Sequence, residues 1–186
     1  MADTKLIAEA WAILGDATPL DFDCGTLCGQ KCCTDFLPDV GVYLLPGELP
    51  LYDGSEDWAA WQFHSPQEYE FAPSWAHHAH IPFMRCQMLC RREKRPLACR
   101  IYPLTPCLSS DGTVDVAFDP FAEGVCPILE RFRIDQLRPD FVAAVKKAWT
   151  VLCQDPEFLD YVRWVTEQVR AWQELPHLDP EEEEAR

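Results

Sequence analysis

Cys24, Cys28, Cys32 and Cys33 place four thiols within ten residues, spaced C-x3-C-x3-C-C. Hydrophobic packing is satisfied by Leu, Val and Phe and needs no such regularity, whereas a metal centre does. Sulfur ligands of zinc lie about 2.3 Å from the ion, and short spacings lower the entropy of bringing them together. A second region repeats the theme with Cys86-x3-Cys90, then Arg95-Pro96-Leu97-Ala98-Cys99-Arg100-Ile101-Tyr102-Pro103, Cys107 and Cys126. Arg95 and Arg100 are expected to offset the negative charge of an all-thiolate site. Pro96 and Pro103 are expected to stiffen the loop between them. In an extended chain the side chains of Cys32 and Cys33 diverge, so they share one ion across a turn or serve two centres.

Other chemistry is less well represented. His77, His78 and His80 have spacing seen in metal sites, yet read more simply as loop histidines beside an aromatic cover. Cys153, next to Leu152 on an apolar helix face, is expected to be core packing. Asp111 and Asp115 belong to turn chemistry. Gly41, Gly47 and Gly54 lie too far apart for a nucleotide loop. No catalytic base or nucleophile comes forward, so enzymatic activity stays open.

The two regions together resemble the cysteine-cluster (CxxCxxCC) family of zinc- or iron-chelating proteins, whose members are described as iron–sulfur cluster-containing. The residues that carry the resemblance are C-x3-C-x3-C-C, Cys86, Cys90 and Arg95-Pro96-x2-Cys99-Arg100-x-Tyr102-Pro103, within residues 24–127. The resemblance implies a ligand set of Cys24, Cys28, Cys32, Cys33, Cys86, Cys90 and Cys99, with Cys126 or Cys107 in the last place. It implies metal binding and no defined reaction. The close middle pair and the long 34–85 insertion depart from the family pattern and leave the partition of ligands open.

The elements that must position these thiols follow from periodicity. Residues 3–15 read as a helix with Leu6, Ile7, Ala10, Trp11 and Leu14 on one face, stopped by Gly15. Gly25 and Gly29 favour tight turns around the first cysteines over a single helix carrying Cys24, Cys28 and Cys32 on one face. Residues 39–45 suggest a short strand, and residues 46–85 an irregular cover with a helical turn near 56–62. A hairpin turns at Ser110-Asp111-Gly112-Thr113. Two terminal helices follow, one with Phe141, Val142, Val145, Trp149 and Leu152 inward, the other with Phe158, Val162, Val165, Val169 and Trp172. They are expected to pair against the first helix. The expected fold is mainly α with a small β-hairpin: an irregular cysteine-rich metal-binding core, 24–127, flanked by an N-terminal helix and a C-terminal helix pair at 138–175. One domain spans 1–177, and 178–186 is an acidic disordered tail.

Hydrophobic content of 48 % and aromatic content of 12 % suit a packed body. A net charge of -15 argues against nucleic acid and against an anionic membrane surface, and leaves a protein partner as the remaining macromolecular option. The first residues carry no secretory apolar run, which points to the cytoplasm, where thiols stay reduced. Two functional expectations result. The first is an iron–sulfur protein in electron transfer or in cluster and metal handling. The second is a zinc-stabilised protein-interaction module without redox chemistry. Thiolate count favours iron slightly.

Overall fold

The structure, a computed structural model, describes residues 4–34, 40–87 and 89–175. Among the described residues, eleven helices and strands are joined by short 3-10 segments and loops. Helix α1 (Thr4–Leu14) buries Ile7, Ala10 and Leu14. It packs against α5 (Pro139–Leu152), which turns Phe141, Val145, Ala148, Trp149 and Leu152 inward. Their shared cluster is the main core. Helix α6 (Pro156–Gln173) starts at Asp155, whose carboxylate accepts the Glu157 amide at 2.9 Å. Such a cap stabilises a helix by about 1 kcal/mol.

Between these helices lie α2 (Lys31–Thr34), β1 (Val42–Tyr43), β2 (Ala59–His64) and β3 (Ile81–Cys86). Then come α3 (Leu97–Ile101), β4 (Leu104–Leu108), β5 (Val114–Phe118) and α4 (Pro127–Arg131). Strands β1, β3 and β2 form an antiparallel sheet in that order, with Tyr43 opposite Phe83 and Trp61 opposite Met84. Strands β4 and β5 form the expected hairpin, Leu104 opposite Phe118. The Leu108 amide donates to Thr166 Oγ1 at 2.9 Å, which ties the hairpin to α6.

Three expectations change. The fold is mixed rather than mainly α, because the 46–85 stretch contributes two strands to a three-stranded sheet. The helical turn expected near 56–62 is strand β2. Its residues are half-buried almost throughout, so no alternation of period two marks it. Pro82 in the central strand also argues against a strand. Its carbonyl accepts from Leu44 on the β1 side, where strand pairing ends at Tyr43, so its missing N–H removes no bond to β2. Finally, it is mainly α5 of the terminal pair that packs on α1, whereas α6 covers β4. Tyr161 of α6 joins the two, stacking on Trp149 at 5.4 Å and on Trp75 at 5.0 Å. Asp39 of the expected strand and the 178–186 tail lie outside the described residues.

Gly41 shows how closely the sheet approaches its neighbours. A Cβ there would sit 2.5 Å from the Met84 carbonyl and 2.6 Å from the Phe83 ring. Only glycine fits.

Candidate metal centre

The first cysteine cluster folds as turns. Asp23 accepts the Gly25 amide at 2.9 Å and caps a 3-10 turn, Cys24–Leu27. Gly29 and Gln30 then take positive φ, reversing the chain into α2, which carries Cys32 and Cys33. Their Sγ atoms are 3.8 Å apart. Lys31 Nζ donates to the Gly124 carbonyl at 3.4 Å, which draws this turn toward Cys126 at the start of α4.

The second cluster is held from another side. Cys86 ends β3, Cys99 lies in α3, and Cys86 and Cys90 pack against Leu44, Trp58 and Met84. Glu48, a buried carboxylate, secures α3. Its Oε1 accepts the Leu97 amide at 2.7 Å and Trp11 Nε1 at 3.1 Å, and its Oε2 accepts the Leu45 amide at 3.0 Å. The loop before α3 is fastened to the end of α1 by two arginines. Arg92 donates to the carbonyls of Asp16 and Ala17. Arg100 donates to those of Gly15, Glu93 and Arg95 and lies 4.6 Å from the centre of the Trp11 ring. Arg100 is therefore a fastener rather than the charge partner of thiolates that its position suggested.

Arg95 is that partner. It hydrogen-bonds Cys90 and lies in the field of Cys33 and Cys99. Its buried Nε has no hydrogen-bond partner. Cys99 is pushed up first by burial, then by Cys86, Cys33 and Cys90. Burial, followed by Cys90 and Cys33, raises Cys86 to about 11. On the other side, burial and then Cys126, Asp23 and Cys28 raise Cys24. Burial is also the first cause for Cys126, with Cys28 contributing. Tyr102, raised by burial and then by Cys126 and Cys32, borders this second set. Cys32 and Cys33 join the two sets. The Cys32 thiol, hydrogen-bonded to Cys33, is pushed far up, whereas Cys33 falls to about 6. The hydrogen bond with Cys32 is the main cause of the lowering at Cys33, and the Arg95 charge adds to it against the opposing effect of burial.

Eight of the sequence-derived ligands thus occupy one neighbourhood: Cys33, Cys86, Cys90 and Cys99 around Arg95, and Cys24, Cys28, Cys32 and Cys126 beside Tyr102. Of these, Cys32 is exposed and the rest half-buried. Cys107 stands apart, facing Asp115, Lys146 and Arg170 in a shallow cavity of about 270 Å³ between the hairpin and α6. Cys153 packs against the core as expected. Among the described residues no three cysteine sulfurs lie within 4.8 Å of one another, so they are not closed into a single-ion site. An all-sulfur donor set with an unsatisfied guanidinium N–H beside it is nonetheless chemically suited to a soft metal or to a cluster with bridging sulfide.

Sequence reasoning missed two carboxylates, Glu48 and Glu157. Glu48 carries no local signal, since an isolated Glu after Pro46-Gly47 reads as a turn residue. The group that does lie within 4.8 Å, His77, His78 and Glu157, needs the distant α6 to complete it. Comparison with known proteins adds nothing to these assignments: no family model, no curated protein and no solved structure matches the chain.

Proposed function

We propose that the chain is a metal-thiolate protein in which Cys24, Cys28, Cys32, Cys33, Cys86, Cys90, Cys99 and Cys126 are the pool of sulfur ligands for iron–sulfur chemistry, four for each cluster bound, in electron transfer or in cluster handling. The observation that carries the reading is that two sets of thiols from separate elements, one about Arg95 and one beside Tyr102, meet at the adjacent Cys32 and Cys33, whose sulfurs are 3.8 Å apart. Burial, and then the neighbouring thiols, make it costly to ionise these groups, and a bound cation offsets that cost by taking them as thiolates. Metals and bridging sulfides lie between the ligands of a cluster, which therefore spread wider than those of one ion. When bound, such a group supplies one-electron chemistry. The protein's own contribution is the Arg95 charge, the half-buried position of most of the thiols, and the Glu48 and Arg100 fastenings.

A second reading has one observation in its favour. The 3.8 Å between the Cys32 and Cys33 sulfurs matches the separation of about 3.8 Å that tetrahedral zinc imposes. In that reading zinc closes the cysteine region, and the acidic surface meets a protein partner with a neutral or basic face.

Protein purified without oxygen separates the two. Iron and acid-labile sulfide in comparable amounts, with visible absorption, are expected. Colourless protein with stoichiometric zinc and no sulfide transfers the assignment to the interaction module. Metal-free protein that folds and refuses both ends the metal-thiolate reading.

A further inference from the structure

Segment 73–78 is fixed on the first turns of α6 by bonds that involve no histidine. The Ser74 amide donates to Asp160 Oδ2 at 3.0 Å, and Ser74 Oγ donates to the Glu157 carbonyl at 3.2 Å. Trp75 lies against Tyr161 one turn along, nearly parallel to it. This docking aims two imidazoles at one carboxylate. His78 Nε2 contacts Glu157 Oε1, and His77 Nε2 stands 4.0 Å from the same oxygen. The three ligand atoms lie within 4.8 Å of one another. Glu157 is only 8 % exposed and His78 18 %, whereas His77, at 59 %, forms an open rim.

We propose that His77, His78 and Glu157 form a second metal site, distinct from the cysteines, for one divalent cation of the zinc type. Two imidazole nitrogens, which favour this ion class, together with one carboxylate oxygen make a three-ligand set that zinc accepts. A tetrahedral ion with bonds of about 2.0–2.2 Å keeps its ligand atoms roughly 3.3–3.5 Å apart. His77 needs a small closing movement to reach that spacing and His78 a small opening one. Three protein ligands leave a fourth position on the solvent side, beside His77. Ser74 holds the backbone of the acidic ligand while the segment bearing both histidines is docked. The cation would then clamp this segment to α6 at a joint the fold has already aligned. His80, two residues on, stays outside the group.

Anaerobically purified full-length protein carrying its native metal tests this by titration with cobalt(II). One equivalent is expected to bind with weak visible ligand-field bands and without sulfur-to-cobalt charge transfer. His77→Ala, at an exposed side chain, is expected to weaken that equivalent at least tenfold while leaving the iron, sulfide or zinc content unchanged. Zinc added in slight excess is expected to raise the wild-type Tm and to leave that of His77→Ala unmoved. The site is overturned if His77→Ala takes up the sulfur-free equivalent with wild-type affinity, or if all bound cobalt shows thiolate charge transfer. The latter result means that the histidines and Glu157 are a hydrogen-bonded group only. Failure of the cysteine reading has a different mark, the absence of native metal before cobalt is added.

Discussion

At the scale of single residues, the cysteines divide by their surroundings rather than by their spacing. Cys99 faces three other thiols and Arg95, whereas Cys107 and Cys153 face none. Cys99→Ser is therefore expected to lower bound metal per chain, and Cys107→Ser and Cys153→Ser to preserve it. The last change costs roughly 1–2 kcal/mol for a half-buried polar replacement. Equal metal loss in all three variants, measured by elemental analysis, would contradict this partition. Metal-free protein gives a second reading of the same environments. Cys33, held at about 6, is a thiolate at neutral pH, while burial holds Cys153 at about 11. Alkylation at pH 7 followed by peptide mass spectrometry is expected to find Cys33 modified first and Cys153 last. The Cys33 rate should fall as the pH is lowered through about 6. Uniform labelling would refute the assignment of the thiolate.

At the scale of elements, Glu48 joins α1, the turn after β1, and the first residue of α3 through three donors. Glu48→Ala leaves those donors buried and unpaired, at a cost of about 3 kcal/mol or more, readable as a lower denaturation midpoint. Burial raises the Glu48 carboxyl although its donors oppose the shift. A carboxyl that holds its proton better when folded contributes most below its ordinary titration range, and its contribution declines as the pH rises through the folded value. The stability of wild type relative to Glu48→Gln is thus expected to fall from acid to neutral pH, and a difference independent of pH would count against the shift. The elements themselves were unevenly legible. α1, the hairpin and the terminal helices were readable because each has one buried face, which writes a period into the sequence. Strand β2 is half-buried along most of its length and β3 carries Pro82, so neither shows its period. The thiol spacing suggested a metal chemistry, but that Cys126 rather than Cys107 lies by the first cysteines was not legible, because it depends on contacts between distant segments such as Lys31 with Gly124. His77 and His78 read as loop residues because their carboxylate comes from α6.

At the scale of the molecule, the buried apolar core contains none of the proposed ligands, though Cys24 and Cys126 pack against it. The α1–α5 core and the α6 cover rest on buried Phe141, Trp149, Phe158 and Val162, remote in kind from the thiols. Removing metal by chelation under reducing conditions is expected to raise hydrogen exchange in 24–33 and 86–99, with α5 and α6 still protected. Exchange unchanged throughout would exclude a structural role for the metal. Among the described residues no helix is long and apolar enough to cross a membrane. The juxtaposition of Cys24 with Cys126 also sets a timetable for biogenesis. A chain grows from its N-terminus, and the thiols of the opening turns leave the ribosome long before Cys126 does. Under the proposed function, four sulfurs within ten residues are thus open to scavenging metals while the companion ligands are still untranslated, and correct loading would wait for the segment through α4 to emerge. Until then, protection from adventitious ions would fall to whatever escorts the nascent polypeptide.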